Sequence, residues 1–447
     1  MVEDLRDTQV RWHSSHPDVA SVDSVGHLTA RKPGRAYVVA TAHALTATAS
    51  IAEGAVDSMP VRVTPADPAL TSLQFATVSA PATSDAHFTC ATTRDGTVRC
   101  FGSTLGRQSA LGFGAGPEDE FAAITSPDGS SFVSVAAGFD AICALTARGA
   151  AFCFGNNEWG QLGSGSLARY SSITAVAGAH RFQKLKMGRE RACAISDAQE
   201  LYCWGSGLNR ALGTEARDRC AYQVGFEKGD TDTTFAPCAR EPVKVMPGVP
   251  VRDVAVGDDH ACALDQAGAL YCWGWIYDID FHALRPIQIG GTVPLVALTS
   301  GSRHVCGLDS AGRAYCWGRN WRGQLGQPVP KSGTTLIPVA GQIRFKSLSA
   351  GDDHTCGVST EDQAYCWGED RDRQLGIGAI ELADGETALP TRVAGARRFT
   401  AIAAGYGHTC AVSSQGGLFC WGTSLAVRPG LGVLKEEPEP FLVSGSH

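Results

Sequence analysis

The sequence GDDHACALDQAGALYCWG, at residues 257–274, decides the fold, because close copies of it recur along the chain. Residues 301–318 read GSRHVCGLDSAGRAYCWG, and residues 351–368 read GDDHTCGVSTEDQAYCWG. Seven copies share two cysteines that are ten residues apart, and in five of them a glycine follows the first cysteine by six residues. A glycine there suits the positive φ angle of a three-residue hairpin loop. Each copy is therefore predicted to be a β-hairpin whose two cysteines face each other.

Cysteines on facing strands lie within disulfide reach, so each hairpin is predicted to carry one disulfide, worth roughly 2–3 kcal/mol. The two remaining cysteines lie together in an insertion, residues 214–240, and are predicted to pair as well. An even number of cysteines at a fixed spacing indicates an oxidising compartment. The predicted pairs are Cys90–Cys100, Cys143–Cys153, Cys193–Cys203, Cys220–Cys238, Cys262–Cys272, Cys306–Cys316, Cys356–Cys366 and Cys410–Cys420.

The rival interpretation is a metal site, because four copies place a histidine two residues before the first cysteine. These histidines are His260, His304, His354 and His408. The other three copies have Phe88, Ala141 and Arg191 at this position, and zinc sites usually use closer cysteine spacing. We therefore predict no bound metal and interpret the recurring histidines as hydrogen-bonding parts of the scaffold. A cation held by carboxylates such as Asp258 and Asp259 is kept as an alternative.

Further strands flank each hairpin. A strand of small residues such as VAVG, residues 254–257, precedes it, and a strand with proline such as PVKV, residues 242–245, follows it. Small residues suit a crowded inner strand, and proline is tolerated at an outer edge. Both faces of the hairpins are apolar, so the sheets must stack on one another. Four strands repeated seven times predict an all-β fold, a seven-bladed β-propeller. Residues 440–443 resemble an outer strand, and we predict that this C-terminal strand completes the first blade and closes the ring.

The repeats resemble those of the regulator of chromosome condensation family, over about residues 70–447. Its motif Asn-x-x-Gly-Gln-Leu-Gly stands at residues 157–163 and 320–326, with a degenerate copy at residues 370–376. The resemblance implies a seven-bladed propeller that binds proteins through one face. The cysteine pairs depart from the nuclear members of the family, so a role in exchanging nucleotide on a nuclear GTPase is not expected.

The N-terminal segment has short alternating strands separated by turn residues, which indicates a β-sandwich. It resembles the second half of a bacterial immunoglobulin-like domain of group 2, so residues 1–63 are predicted to be a partial domain and residues 64–69 a linker. The first 20 residues lack the apolar core of a signal peptide. Because the cysteines nevertheless indicate export, we expect the export signal in a longer reading frame.

Composition excludes several classes of function. The net charge is −7 and no run of lysine or arginine occurs, which argues against nucleic-acid binding. No apolar stretch is long enough for a membrane-spanning helix. The signatures of serine hydrolases, zinc proteases and phosphate-binding loops are also absent. We therefore predict no catalytic residue and no cofactor, and expect a monomer.

The hairpin geometry places candidate binding residues on one face. Each hairpin starts at a Gly-x-x-His loop and returns to Trp-Gly, so the loops at these two points lie together. Aromatic and charged side chains on such loops are typical of protein-binding surfaces. The predicted binding residues are Phe139, Asp140, Trp159, Asp258, Asp259, Trp275, Tyr277, Phe281, Trp321, Asp352, Asp353 and Tyr406. Solvated loop residues with a few packing aromatics are the alternative.

Two departures from the repeat carry separate hypotheses. Residues 275–282, WIYDIDFH, replace the family motif in the fourth copy and form either a binding knob or a plug over the axis. The insertion of residues 214–240 is either a functional loop or an inert elaboration.

The leading functional hypothesis is an extracellular, periplasmic or cell-surface scaffold that binds another protein, with a cell-surface glycan as a further class of partner. An enzyme acting on polysaccharide or peptide at the propeller axis is the first alternative, and it predicts clustered carboxylates or histidines with perturbed pKa values. A structural adhesin module without a specific ligand is the second.

Overall fold

The computed structural model describes the backbone of residues 11–14, 20–22, 28–30, 36–42 and 45–51, and then residues 73–83, 86–104, 122–166, 168, 170–223, 233–290, 293–328, 332–378, 380, 382, 384–423 and 436–444. The chain divides into two compact units, residues 1–73 and 74–447.

In the described residues of the N-terminal unit, five short strands form two antiparallel sheets. One sheet has the order β1-β4-β5, and the other pairs β2 with β3. The strands are β1 (Arg11–Ser14), β2 (Ala20–Val22), β3 (Leu28–Ala30), β4 (Ala36–Ala42) and β5 (Leu45–Ile51).

The second unit is a propeller of seven antiparallel sheets, as predicted, and each blade is built from one continuous segment of chain. Its first three blades contain β6 (Phe75–Ser79), β7 (Ala86–Thr93), β8 (Val98–Thr104) and β9 (Ala122–Ile124); β10 (Phe132–Ala137), β11 (Ala141–Thr146), β12 (Ala151–Asn156) and β13 (Tyr170–Ala175); and β14 (Phe182–Met187), β15 (Arg191–Ser196), β16 (Leu201–Ser206), β17 (Asp218–Gln223) and β18 (Thr233–Val245).

Blades four to seven repeat the four-stranded plan. Their strands are β19 (Val251–Val256), β20 (His260–Asp265), β21 (Leu270–Ile276) and β22 (Phe281–Gln288); β23 (Leu295–Ser300), β24 (His304–Asp309), β25 (Ala314–Gly318) and β26 (Gly333–Pro338); β27 (Phe345–Ala350), β28 (His354–Ser359), β29 (Ala364–Glu369) and β30 (Glu386–Arg392); and β31 (Phe399–Ala404), β32 (His408–Ser413), β33 (Leu418–Thr423) and β34 (Glu436–Ser444). The described segments contain two short 3₁₀ turns, Leu208–Arg210 and Tyr277–Ile279.

The central hairpin of every blade has the predicted register, in which the two cysteines are direct cross-strand partners. All eight predicted disulfides are present, and no free cysteine remains in the described chain. The hairpin pairs have Cα atoms 4.0–4.1 Å apart, whereas those of Cys220 and Cys238 are 5.8 Å apart. The turn glycine has positive φ as predicted, 83° at Gly149 for example, and its replacements Gln199 and Asp362 keep φ at 61° and 65°.

The Asn-x-x-Gly-Gln-Leu-Gly motif forms a loop that holds itself together and supports the next blade. Asn157 accepts the Leu162 amide hydrogen at 3.1 Å, and Gln161 accepts the Trp159 amide hydrogen at 2.9 Å. The indole of Trp204 in the following blade then donates to the Gln161 carbonyl oxygen at 3.0 Å. The motif therefore stabilises the packing of one blade on the next.

The recurring histidines are buried hydrogen-bonding groups of the scaffold, as predicted. His304 Nε2 lies 2.8 Å from the Thr355 hydroxyl of the next blade, and His354 Nε2 lies 2.9 Å from the Thr409 hydroxyl. His260 pairs in the same way with Ser300, at 2.9 Å. Burial lowers the pKa of His260, His304 and His354 to about 3, so these side chains are neutral at physiological pH.

The predicted ring closure is wrong. The C-terminal strand β34 pairs with β33 of the seventh blade, and the outer strand of the first blade is β9, which follows the first hairpin directly. The first and last blades instead meet through side chains and loops. His408 Nε2 lies 2.8 Å from the Thr89 hydroxyl, and the Phe75 amide donates to the Gly416 carbonyl oxygen at 2.9 Å. The sequence did not predict β9, because its three residues AAI lack the proline found in most of the other outer strands.

Candidate functional site

The blade topology brings two sets of loops to one end of the propeller. In each blade, one loop joins the first strand to the second and another joins the third strand to the fourth. Because neighbouring strands are antiparallel, both loops lie at the same end of the sheet. We call this end the loop face. It carries the predicted binding residues, but their burial divides them into two groups.

Five of the predicted binding residues are buried structural groups: Asp140, Trp159, Asp258, Phe281 and Asp353. Asp140 accepts a hydrogen bond from the Asn156 side chain at 2.6 Å, and Asp353 accepts one from the Gln324 side chain at 2.7 Å. These two carboxylates therefore anchor the loops of their own or neighbouring blades.

The two buried aromatic residues also pack inside the protein. Trp159 packs against the Cys220–Cys238 disulfide, so it supports the insertion from the neighbouring blade. Phe281 lies edge-on to Trp317 at 5.3 Å between ring centroids. Neither ring is available to a partner, and residues 275–282 fold as the hairpin between β21 and β22.

The second group is exposed or half-buried. Trp275 and Tyr277 are exposed and lie edge to face, with 5.5 Å between ring centroids. Trp321 is 59% exposed, and the Arg319 guanidinium lies 4.5 Å from its ring centroid. The half-buried residues of this group are Phe139, Asp259, Asp352 and Tyr406.

Sequence reasoning missed two exposed apolar side chains on the same face. Phe235, 54% exposed, stands on the part of β18 that extends beyond the blade and pairs with β17. Ile380, 51% exposed, follows the degenerate motif of the sixth blade. Phe235 could have been found as an aromatic residue inside a charged, disulfide-tied insertion. Ile380 gives no such signal, because its exposure depends on the path of the loop.

Five exposed apolar side chains of the loop face come from four consecutive blades. We call this set the docking arc: Phe235, Trp275, Tyr277, Trp321 and Ile380. One or two members come from each of blades three to six: Phe235 stands on β18, Trp275 on β21, and Tyr277, Trp321 and Ile380 on segments between the third and fourth strands. Large apolar residues are normally scattered singly on a protein surface, so the docking arc is the candidate binding surface on this face.

Backbone hydrogen bonds connect several of the loops nearest the axis, and these loops also carry charged side chains. The Asp258 amide donates to the Ser302 carbonyl oxygen, and the Asp352 amide donates to the Gly405 carbonyl oxygen, at 3.3 and 3.1 Å. Burial raises the pKa of Asp258 and of Glu190 to about 7, and burial with the nearby Asp353 raises that of Asp352 to about 6.

Arginines are mixed with these carboxylates. Arg191 is buried and replaces the histidine of the third blade. It donates to the Asp258 carbonyl oxygen and lies 3.8 Å from the Asp259 carboxylate. The Arg189 guanidinium lies 5.0 Å from the centroid of the Phe139 ring. Blades two, three and four are thereby connected by charge and cation–π contacts.

The axis contains a cavity of about 170 Å³, which we call the axial cavity. Small residues of the inner strands line most of it, and the recurring histidines lie between blades instead of in its wall. The enzyme hypothesis predicted clustered carboxylates with perturbed pKa values. Such carboxylates lie in the loops around the axis, and one of them, Asp258, lines the cavity.

The fold and its repeated motifs agree with comparisons to known proteins. Models of the regulator of chromosome condensation (RCC1) repeat match residues 132–161, 251–275, 295–324 and 345–374, and also 311–358 and 361–412. The chain carries RCC1 repeats. The bacterial Ig-like domain (group 2) matches residues 2–52, which confirms the predicted class of the N-terminal unit.

Relatives and solved structures show the same repeat. The ultraviolet-B receptor UVR8 of Arabidopsis thaliana is 26% identical over 155 residues, which cover 34% of this chain and 31% of the receptor. Yeast RCC1 (Prp20) bound to Kap60 has a TM-score of 0.63 and 20% identity, covering 84% of this chain and 85% of that one. Prp20p of Saccharomyces cerevisiae, solved in a study of its binding to Gsp1p and histones, has a TM-score of 0.61 and 18% identity, with 84% and 86% covered. The match spans less than a third of the UVR8 chain, and the structures establish a shared fold.

Proposed function

We propose that this RCC1-repeat propeller is a protein-interaction scaffold that works outside the reducing cytosol and binds a partner protein through the docking arc. The observation that carries the proposal is the placement of five exposed apolar side chains on one face of four consecutive blades.

The chemistry of the docking arc suits protein recognition. Tryptophan, tyrosine and arginine dominate the binding energy of protein interfaces, and the arc presents Trp275, Tyr277 and Trp321 with Arg319 beside Trp321. Each aromatic ring offers a large apolar area with a polar edge, which favours a partner protein.

The backbone beneath the docking arc is firmly held, so little conformational entropy is lost on binding. Trp275 is paired with His282 across the hairpin of β21 and β22, and the strand carrying Phe235 is tied by the Cys220–Cys238 disulfide. In addition, Trp159 packs under that disulfide.

The eight disulfides and the bacterial Ig-like domain support a location at the cell surface or in another oxidising compartment. Among the described residues no helix is long and apolar enough to cross a membrane. Propellers of the same fold have been crystallised with Kap60 or studied with Gsp1p and histones, which favours protein as the class of partner.

The test is a differential capture experiment. The immobilised chain is exposed to the extracytoplasmic proteins of its own source, and bound proteins are quantified by mass spectrometry. The variant Trp275→Ser/Tyr277→Ser/Trp321→Ser is expected to capture at least about tenfold less of the specific partner. Central aromatic residues usually contribute over about 1 kcal/mol each to the binding free energy.

The matched control is Val133→Ser/Val296→Ser. Both valines are exposed, but they stand near the opposite ends of their inner strands. This control is expected to capture the same proteins as the natural chain. Equal capture of every protein by all three forms would remove the docking arc from the proposal, and no saturable capture at all would favour the adhesin hypothesis.

A further inference from the structure

We propose that the axial cavity is a binding site for a primary ammonium group, held by the Asp258 carboxylate and the Thr83 hydroxyl. This site is separate from the docking arc and does not depend on the proposed function.

The inner strands form most of the wall of the cavity, and its charged lining is sparse. Of its lining residues, Asp258 is the one acid and Lys186 is the one base. Lys186 lies on β14 in the wall, whereas Asp258 lies in the loop beyond β19, at the loop-face end of the cavity. An ammonium group is therefore attracted to the loop-face end and repelled from the wall that carries Lys186.

Two residues that line this cavity each have a buried polar atom without a hydrogen-bond partner in the described structure: Asp258 Oδ1 and Thr83 Oγ1. Asp258 is 8% exposed and Thr83 is 3% exposed. A buried carboxylate or hydroxyl without a partner costs free energy, so such atoms in a cavity wall mark a place where a donor is accommodated.

The other polar groups around the axis are engaged. The Ser79, Thr299 and Ser349 hydroxyls in the wall accept amide hydrogens of the next blade, at 2.9–3.1 Å. Of the carboxylates in the neighbouring loops, that of Asp353 accepts from Gln324, and that of Asp259 faces Arg191. The unpartnered acceptors are thus concentrated at Asp258 and Thr83.

A primary ammonium fits these acceptors better than a guanidinium does. An ammonium is compact and directs three N–H donors, whereas a guanidinium is planar and favours two oxygens of one carboxylate. Here one carboxylate oxygen and one hydroxyl oxygen, both of residues that line the cavity, are buried without a partner. The ammonium could belong to a free small amine or to a lysine side chain that a docked protein inserts from the loop face.

Charge around Asp258 sets the pH range in which the site works. Burial, together with the neighbouring Asp352 and Asp259 carboxylates, raises the pKa of Asp258 to about 7, and Arg189 and Arg303 oppose this shift. The carboxylate is therefore largely ionised above pH 7. Binding of an ammonium group is expected to be strong at pH 8.5 and to weaken by about tenfold or more at pH 5.5.

The experiment uses the full chain and three probes: n-butylammonium chloride, the peptide acetyl-Gly-Lys-Gly-amide and tetramethylammonium, which has charge but no N–H donor. Affinity is measured by calorimetry, and the ¹³C resonance of the Asp258 carboxyl is followed by NMR as a second readout. A bound ammonium is expected to lower the pKa of Asp258, because it stabilises the ionised form. Tetramethylammonium is expected to bind at least about tenfold more weakly than n-butylammonium.

Variants assign the site. Asp258→Asn is expected to reduce affinity by at least about tenfold, and Thr83→Val to reduce it less, because a neutral acceptor is lost. The matched control Asp259→Asn removes the adjacent acid, which does not line the cavity, and is expected to retain affinity within about threefold. Amine binding to Trp275→Ser/Tyr277→Ser is expected to be unchanged, which separates this site from the docking arc.

Binding of n-butylammonium alone assigns a free amine as the ligand, and binding of the lysine peptide as well assigns a side chain from a partner. The proposal is overturned if neither probe shifts the Asp258 resonance at pH 8.5, or if Asp258→Asn binds them as the natural chain does.

Discussion

His408 Nε2 lies 2.8 Å from Thr89 Oγ1, and this buried hydrogen bond joins the last blade of the propeller to the first. The joint between the fifth and sixth blades uses the same pair, with His304 Nε2 also 2.8 Å from Thr355 Oγ1, and there the Thr355 hydroxyl also donates to the Gln324 carbonyl oxygen at 2.9 Å. The ring is therefore closed by a contact that its internal joints also use, and none of the described strands is exchanged between its ends. Ring closure in this chain is a matter of side-chain packing and hydrogen bonding.

This shared pair predicts that Thr89→Val and Thr355→Val both destabilise the ring. Each variant leaves a buried histidine nitrogen without its hydroxyl partner, so the free energy of unfolding is expected to fall by about 1–3 kcal/mol in both cases. The larger loss is expected at Thr355, because its hydroxyl also donates to the Gln324 carbonyl oxygen. Urea denaturation followed by tryptophan fluorescence measures the two values. A loss at Thr355 without one at Thr89 would mean that the ends of the ring are held in some other way.

The hairpin disulfides predict the redox behaviour of the chain. In non-reducing buffer none of the cysteines is expected to react with iodoacetamide after denaturation, because all of them are paired. Cys143→Ala/Cys153→Ala opens one hairpin loop and is expected to lower the free energy of unfolding by roughly 2–3 kcal/mol. Labelling is read by mass spectrometry and stability by denaturant titration. Thiols that become reactive only after a chelator is added would instead support the zinc interpretation.

Local periodicity explains why the blades could be predicted from sequence. Cys143 and Cys153 fix a hairpin, its turn and its register within eleven residues, and the same pattern returns in every blade. The first blade's outer strand, Ala122–Ile124, was not predicted because its three residues carry no comparable pattern. The resemblance of residues 440–443 to an outer strand then suggested that the C-terminal strand completes the first blade.

The candidate site was predicted less well, because burial of a loop residue depends on partners that are distant in sequence. Asp353 was expected on the surface, but Gln324 lies 29 residues away and holds it inside. Trp159 was expected to meet a partner, but the disulfide of the neighbouring blade covers it. Trp275 and Tyr277 were predicted correctly as loop-face residues, since they interrupt a motif whose usual side chains are buried.

The turn of each hairpin gives a prediction about backbone conformation. Gly149 has φ of 83°, and a Cβ there would lie 3.1 Å from the Phe182 carbonyl oxygen. Gly149→Ala is therefore expected to lower the free energy of unfolding by about 1–2 kcal/mol. Gln199 holds the equivalent position with φ of 61°, so Gln199→Gly relieves strain and is expected to change stability by between zero and about +1 kcal/mol. Thermal and urea unfolding measure both, and a loss of stability in Gln199→Gly would show that its side chain contributes more than the backbone strain costs.

The last prediction concerns pH and the Asp258 carboxyl. Its pKa is about 7 in the folded protein and near 3.8 when unfolded, because burial favours the neutral form. Between these values the folded state binds more protons than the unfolded state, so the stabilising effect of the neutral carboxyl is lost as pH rises from about 4 to 7. Asp258→Asn keeps a neutral polar group at every pH. The variant is therefore expected to gain about 2 kcal/mol relative to the natural chain between pH 5 and pH 8.

Asp128 provides the matched control, because it is an acid on the opposite end of the propeller with the reverse shift. Hydrogen bonds from Ser126 and Ser130 hold its pKa at about 2, so the folded-state carboxylate is ionised across the whole range from pH 5 to pH 8. The stability difference between Asp128→Asn and the natural chain is expected to stay constant over that range. The stability that the ionised Asp128 carboxylate contributes is lost only when the pH falls to about 3.8 and below. Urea titrations at pH 5, 6, 7 and 8 for the three proteins test the contrast. Parallel curves for Asp258→Asn and the natural chain would mean that Asp258 stays ionised throughout, held by a partner, and that its carboxylate is not the neutral buried group inferred from its surroundings.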